Sequence, residues 1–359
     1  MKRRLALCYG TRPQVIKASA LRRALGAHWN VVAVDTGQHY DYALNELLYR
    51  QLEVAPPDHF LEVGSGSHGG QTAAILVKME QLLATARPDA AVVIGDTNST
   101  LGCALAAAKC RIPVAHVEAG LRAHDRLMAE ELNRRATDAI ATLLCAPSES
   151  AAARLRAEHP DALVRLTGDI ARDILEAQLA VLPEPADVHP AATAPYLFAT
   201  IHRAEITNQP TLLRALLDAI GRLSCSTILA MHPRTRAALE RHALLAGGTG
   251  RLHVIPPVGY RETLALARGA AAVLTDSGGV QREAYWLGVP CVTLRSETEW
   301  AETVACGANQ LLAPADAVGG LYRVIDTLLT RPVPPWTRDA YGAGKAACAV
   351  TDAIREWSA

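Results

Sequence analysis

Short apolar runs alternate along this chain with longer stretches whose apolar residues recur at helical spacing, and most of the runs end in a small polar cluster. Leu5-Ala6-Leu7-Cys8-Tyr9 stops at Gly10-Thr11-Arg12-Pro13. Val15, Ile16, Ala18, Leu21 and Leu25 then share one helical face, with Pro13 suited to the first turn. Val31-Val32-Ala33-Val34 reads as a second strand ending at Asp35-Thr36-Gly37-Gln38-His39. A helix is expected over about 41–52, and Pro56-Pro57 breaks the chain after it. The spacing predicts further helices over 71–86, 99–110 and 130–140, and strands over 90–94, 114–117 and 141–146. Two of these strands end at Gly95-Asp96-Thr97 and at Glu118-Ala119-Gly120-Leu121-Arg122. The second half repeats the alternation, with strands over 196–200, 227–230, 254–255, 270–274 and 291–295 and helices over 211–223, 317–329 and 340–356.

Nearly all-apolar strands that alternate with helices are the mark of parallel sheets covered on both faces. The fold class expected is therefore α/β, with two Rossmann-type, doubly wound parallel-sheet domains and an interdomain cleft. At 359 residues the chain exceeds one ordinary domain and suits two. The hinge is placed at Gly168-Asp169, giving a first domain over 1–168 and a second over 169–339.

Composition narrows the function. Lys plus Arg and Asp plus Glu both number 36, so the formal net charge is zero and nothing asks for nucleic acid or an anionic membrane. No apolar stretch approaches a membrane span, and the apolar run after Met1-Lys2-Arg3-Arg4 stops too soon for a signal peptide. The eight cysteines form no CxxC pair and lie mostly in apolar runs, which reads as reduced core residues of a cytosolic protein. No spacing of His, Cys, Asp or Glu suggests a metal centre, and no cofactor is expected.

The most informative stretch is Leu274-Thr275-Asp276-Ser277-Gly278-Gly279-Val280-Gln281-Arg282-Glu283. A strand runs into a serine and two glycines, and a helix follows. Glycines let a ligand approach the backbone, and the first N–H groups of a helix carry partial positive charge that suits a phosphate. Glu283 is one turn further on, where a carboxylate can accept ribose hydroxyls. The first half supplies Arg12, Lys17, Asp96, Glu118, Arg122, His124, Glu130, Glu131 and Arg134 at its strand ends. The second supplies His202, Arg203, Glu205, His232, Arg234, Ser277, Gly278, Gly279, Glu283 and Arg295. Carboxylates that move protons, beside cations and N–H groups that hold a departing diphosphate, suit chemistry on a nucleotide-linked sugar. Plainer roles stay open for several of them. Asp96 could cap the helix after it, Glu118 could pair with Arg122, and Glu130 and Glu131 could form a solvated helix face. His116 is read as structural and left outside the site.

Taken in order, the motifs resemble the non-hydrolysing UDP-N-acetylglucosamine 2-epimerase family from end to end. The matching stretches are Gly10-Thr11-Arg12-Pro13 with Ile16-Lys17, Thr36-Gly37-Gln38-His39, Gly95-Asp96-Thr97-Asn98-Ser99-Thr100 and His116-Val117-Glu118-Ala119-Gly120-Leu121-Arg122. They continue with Glu130-Glu131-Leu132-Asn133-Arg134, His202-Arg203-Ala204-Glu205, Thr275-Asp276-Ser277-Gly278-Gly279-Val280-Gln281 with Glu283, and Arg295-Ser296-Glu297-Thr298-Glu299. The resemblance implies a GT-B-like fold whose C-terminal helix, about 340–359, returns to the first domain. It implies inversion of carbon 2 of a UDP-linked 2-acetamido sugar without NAD, by elimination of UDP to a 2-acetamidoglucal and re-addition. It further implies a homodimer, a cytoplasmic location and a part in cell-surface polysaccharide biosynthesis.

Carried over by position, the resemblance makes Asp96, Glu118 and Glu130 the acid/base groups, with His202 beside them. Arg12, Lys17, Arg122, Arg134 and His202 would stabilise the diphosphate, Ser277, Gly278 and Gly279 would hold a phosphate and Glu283 the ribose, with Arg203 a further UDP contact. The uracil would lie near 254–260, including Tyr260, and His232 and Arg295 complete the expected substrate contacts. Ala129 departs from the family, many of whose members carry proline there. The passages 38–42 and 67–71 do not match the site at which some members bind a second UDP-N-acetylglucosamine as activator. Passages 14–19, 98–100, 232–236 and 298–302 look closer to the branch acting on UDP-2,3-diacetamido-2,3-dideoxyglucuronate, for which Arg234 could meet the carboxylate. The rival classes are a hydrolysing epimerase, a GT-B glycosyltransferase and a nucleotide-sugar sensor. The three acid/base carboxylates argue against the last two.

Overall fold

A computed structural model describes residues 2–38, 54–242, 251–330 and 335–358. The chain divides into two compact units, Met1–Ala177 with Asp339–Ala359, and Gln178–Arg338.

The first unit begins with β1 (Arg4–Tyr9), α1 (Arg12–Gly26) and β2 (Asn30–Asp35). It continues with β3 (His59–Phe60), α2 (His68–Ala86), β4 (Ala90–Ile94), α3 (Asn98–Lys109) and β5 (Val114–Val117). Then come α4 (Ala129–Ile140), β6 (Leu143–Ala146), α5 (Glu149–Glu158), β7 (Leu163–Leu166) and α6 (Ile170–Gln178). The sheet runs β3-β2-β1-β4-β5-β6-β7 with every pair parallel. The order reverses direction at β1 and β4, which is where open α/β sheets place their ligands. Alternation along β1 sends Ala6 and Cys8 to a face covered by Ile75, Met79 and Leu83 of α2 and by the alanine-rich α3. Leu5 and Leu7, unexposed, point the other way.

The second unit holds β8 (Tyr196–Ile201), α7 (Pro210–Gly221), β9 (Ser226–Met231), α8 (Pro233–Arg241) and β10 (Leu252–Ile255). After these come α9 (Tyr260–Gly269), β11 (Ala272–Thr275), α10 (Gly278–Leu287), β12 (Cys291–Thr293), β13 (Asn309–Leu311) and α11 (Pro314–Thr330). Its parallel sheet runs β10-β9-β8-β11-β12-β13, reversing at β8 and β11. Two apolar clusters lie on its opposite faces, one around Leu197, Ala199, Leu274 and Leu321, the other around Tyr196, Phe198, Val273 and Leu266.

The last helix, α12 (Ala346–Ser358), belongs to the first unit and packs beside α1 and β6. It starts later than the expected 340. Gly342 (φ 83°) and Gly344 (φ 76°) hold a left-handed path that no helix can contain. The Asp173 carboxylate then accepts the Ala346 and Ala347 N–H groups at 2.8 Å each and starts the helix. The elements not read from sequence, β3, β7, α5, α6, α8, α9 and β13, include all the edge strands but β10. Only one residue of β7, Val164, is buried and none of β3 is, so their apolar signal is weak. The helix expected over 41–52, and His39, lie outside the described residues.

The eight cysteines are free thiols, and Cys306 and Cys348 are exposed rather than in the core. No helix among the described residues is long and apolar enough to cross a membrane.

Candidate active site

In the first unit the chemistry gathers at the carboxyl ends of β1, β4 and β5. Gly10 and Thr11 turn the chain from β1 into α1. Gln14 ties that turn to its neighbour, for its Oε1 accepts the Gly10 and Thr11 N–H groups at 3.0 and 3.1 Å. Its Nε2 donates to Ile94 O, Thr97 Oγ1 and Thr100 Oγ1 at 2.6, 2.9 and 3.0 Å. Gly10 has to be glycine, since a Cβ there would stand 1.9 Å from Thr36 Oγ1 and 2.2 Å from Ser99 Oγ.

Asp96 follows Gly95, whose φ is 70°. It does not cap α3. That role falls to Thr97, whose hydroxyl accepts the Thr100 N–H. The Asp96 side chain, 32% exposed, meets Arg134 instead, with Nε and Nη2 at 3.0 and 2.6 Å from Oδ2. Asn133 Nδ2 donates to the Asp96 carbonyl at 3.0 Å.

Glu118 ends β5 with φ 67°, a left-handed conformation rare outside glycine. Its carboxylate is buried and forms an ion pair with Lys17 rather than Arg122, with Nζ 2.6 and 2.7 Å from the two oxygens. A Cβ added to Gly95 would lie 3.3 Å from Glu118 Oε2. The turn carrying Asp96 and the carboxylate of Glu118 are therefore immediate neighbours.

Glu130 is exposed in the first turn of α4. The next residue behaves oppositely to a solvated face. Glu131 is fully buried and accepts Ala123 N, Arg134 Nη1 and Arg135 Nε at 2.8, 3.0 and 2.7 Å. It clamps the 118–128 loop to α4. Arg134 thus bridges Asp96 and Glu131, and Arg12 lies half-buried on the first turn of α1.

Arg122, expected at the diphosphate, is committed elsewhere. Nη1 donates to Asp138 Oδ2 at 2.7 Å and Nη2 to Glu158 Oε2 at 2.5 Å. Burial works against its charge, but Asp138 and Glu158 outweigh burial and raise its pKa. His124 is exposed.

In the second unit the focal turn joins β11 to α10. Ser277 caps α10, its hydroxyl accepting the Val280 N–H at 3.4 Å, with Gly278 and Gly279 in the first turn. Arg282 donates to Gly278 O at 3.2 Å and lies 3.7 Å over the Trp300 ring, a cation–π contact that braces the turn. Glu283 is half-buried in the same helix.

Asp276, absent from the expected site, organises what surrounds it. Its Oδ2 accepts the His202 and Arg203 N–H groups at 2.8 Å each, and Oδ1 lies 3.1 Å from His202 Nδ1. Burial opposes its charge, yet His202 and the two N–H groups hold its pKa below the usual carboxylate range. Its position just before Ser277 was the available signal. His202 stacks on His232 with centroids 4.8 Å apart. His232 caps α8, its Nδ1 accepting the Arg234 N–H at 3.1 Å. Arg203 reaches Glu205 at 3.6 Å, and Arg234 is exposed. Tyr260 begins α9, half-buried. Arg295 is closed into a bidentate pair with Glu299 at 2.9 and 3.2 Å, both side chains buried. No group of three potential metal ligands occurs among the described residues.

Two parallel-sheet units, one ending in ion-paired carboxylates and the other in a Ser-Gly-Gly helix start, make this a GT-B-like α/β protein. The model of the family described as UDP-N-acetylglucosamine 2-epimerase matches residues 23–355, and the chain belongs to that family, whose members are isomerases.

A Methanococcus maripaludis protein named UDP-N-acetylglucosamine 2-epimerase homolog is 42% identical, over 84% of this chain and 87% of its own. The UDP-2,3-diacetamido-2,3-dideoxy-D-glucuronate 2-epimerase of Pseudomonas aeruginosa is 40% identical, over 85% of this chain and 87% of its own. The structure of Methanocaldococcus jannaschii UDP-GlcNAc 2-epimerase in complex with UDP-GlcNAc and UDP is similar with a TM-score of 0.87. It is 35% identical and spans 99% of this chain and 100% of that one.

Proposed function

We propose that this protein inverts carbon 2 of UDP-N-acetylglucosamine to give UDP-N-acetylmannosamine. The observation that carries the reading is the pair of adjacent strand-end carboxylates, Asp96 and Glu118, each held by its own cation, Arg134 and Lys17. The carbon 2 proton has no neighbouring carbonyl to acidify it, so simple deprotonation is too costly. Elimination avoids this. A carboxylate takes the proton while the C–H electrons form a carbon 1–carbon 2 double bond. The carbon 1–oxygen pair then leaves on the β-phosphate of UDP. Re-addition reverses each step, with the proton delivered to the other face. Asp96, Glu118 and the exposed Glu130 supply the proton-transfer groups. Arg12, Lys17, Arg134, His202 and Arg203 stabilise the diphosphate as its charge grows. The N–H groups of Ser277, Gly278 and Gly279 take a phosphate, and Glu283 the ribose hydroxyls. The enzyme works as a cytoplasmic homodimer, a state that light scattering on the purified protein measures.

The deciding experiment is proton NMR with UDP-N-acetylglucosamine in D2O. The expected result is UDP-N-acetylmannosamine carrying deuterium at carbon 2, and free N-acetylmannosamine with UDP would establish hydrolysis instead. A second substrate stands beside it, because the Pseudomonas aeruginosa diacetamido-glucuronate enzyme, at 40% identity, falls between the Methanococcus maripaludis UDP-N-acetylglucosamine 2-epimerase homolog at 42% and the Methanocaldococcus jannaschii UDP-N-acetylglucosamine 2-epimerase at 36%. Turnover of the UDP-diacetamido-uronate alone would move the assignment to that sugar.

A further inference from the structure

His116 is unexposed in β5, and both of its ring nitrogens face oxygen. Nε2 lies 2.7 Å from the Gly95 carbonyl and Nδ1 2.7 Å from Asp138 Oδ1. A carbonyl oxygen only accepts, so Nε2 carries a proton. Asp138 accepts on its other oxygen as well, from Arg122 Nη1 at 2.7 Å and from the Gly120 N–H at 3.2 Å. Asp138 thereby joins the ring's Nδ1 on one oxygen to Arg122 and the Gly120 N–H on the other. Burial opposes the charge on Asp138, but His116 and then Arg122 hold its pKa below the usual range. The ring has no solvent access and is tied at both nitrogens. The charged groups around it are Asp138 on α4, Arg122 after β5, Glu158 on α5 behind Arg122, and the Lys17–Glu118 pair two residues along the chain.

This arrangement touches both turns that carry the acid/base carboxylates. Gly95 precedes Asp96, and Gly120 follows Glu118 by two residues. Asp138 therefore holds the Asp96 turn through His116 and the Glu118 turn through the Gly120 N–H. We infer that His116 and Asp138 are a positioning pair that sets the spacing between Asp96 and Glu118. That spacing decides whether the proton removed from carbon 2 is replaced on the opposite face before the unsaturated intermediate escapes. The inference rests on the elimination and re-addition proposed above. Opposite-face proton transfer needs two groups at a fixed gap, and a buried ring hydrogen-bonded at both nitrogens is a stiff spacer.

The test uses the full-length protein. In histidine-labelled wild type, long-range proton–nitrogen spectra are expected to show one ring whose Nε2 proton exchanges slowly with solvent, lost in His116→Gln. His116→Gln and Asp138→Asn are expected to lower kcat about 10- to 100-fold, as small misplacements of reacting groups do. KM and UDP affinity by calorimetry stay within about twofold, the pattern of a lost transition-state arrangement. Both variants also release more free 2-acetamidoglucal and UDP per epimerisation. A His116 Nε2 proton that exchanges as fast as that of a solvent-exposed ring overturns the inference, and that result needs no variant to fold. So does a folded His116→Gln with unchanged kcat and glycal release, or one in which only KM rises. Failure of wild type to epimerise any UDP-linked 2-acetamido sugar would sink the functional reading instead, while the nitrogen spectra would still report how the ring is held.

Discussion

Glu118 carries φ 67° at the end of β5, a conformation that costs a non-glycine residue about 1–3 kcal/mol. Its carboxylate is buried against Lys17 at 2.6 and 2.7 Å. Asp96, by contrast, keeps 32% of its side chain exposed while Arg134 grips one oxygen. Asp96→Asn and Glu118→Gln are each expected to lower turnover at least about 10²-fold while UDP affinity stays near wild type. Calorimetry with UDP beside the NMR assay checks this, and joint loss of UDP affinity would mark both residues as structural. Asp138 and Asp276 make a different prediction. Their pKa values are depressed in the folded state, so the stability each provides is complete above the unfolded value of about 4. It is lost as pH falls through the lower folded value. Urea midpoints should hold between pH 7 and about 5 and drop steeply below about 4, and Asp138→Asn should flatten that acid limb while lowering the neutral midpoint.

At the scale of elements, short strands aim long helices, and the turn between them is where chemistry fits. The turn from β1 to α1 leaves no room at Gly10 beside Thr36 and Ser99. Gly10→Ala should destabilise the protein by about 1–3 kcal/mol or prevent its folding, as overpacking a filled site does, read as a lower thermal midpoint. The turn from β11 to α10 is capped by Ser277. Ser277→Ala should cost about 1 kcal/mol of stability through the lost cap. It should also weaken UDP binding, because the first-turn N–H groups lose their alignment. An unchanged UDP affinity would remove this helix start from the phosphate site. His116 and Asp138 could not be recognised as partners from sequence, because one is in a strand and the other in a helix 22 residues later. Arg122 and Arg295 read as free cations for the same reason, until Asp138, Glu158 and Glu299 are seen to hold them.

For the molecule as a whole, the chain builds most of its first unit, crosses into the second after Ala177, and returns at Asp339 to finish the first. The returning helix buries Ala346, Val350 and Ile354 and is started by Asp173, far back in the chain. Deleting residues 346–358 should expose that apolar face and make the protein aggregate or unfold at lower urea, as judged by light scattering and denaturation. An unchanged midpoint would show that the return is dispensable.

Local pattern determined much of this protein. Apolar runs of strand length, helical periodicity and glycine-marked strand ends predicted two parallel-sheet units. The turns at Gly10, Gly95 and Ser277 stood out because backbone geometry and helix starts are written in adjacent residues. Tertiary structure alone decided the pairing of charges. Lys17 met Glu118 across 101 residues and Arg134 met Asp96 across 38. Glu131 went into the core beside an exposed Glu130. Such choices depend on which side chains the packing of strands and helices brings within about 3 Å, a distance that spacing along the chain does not encode.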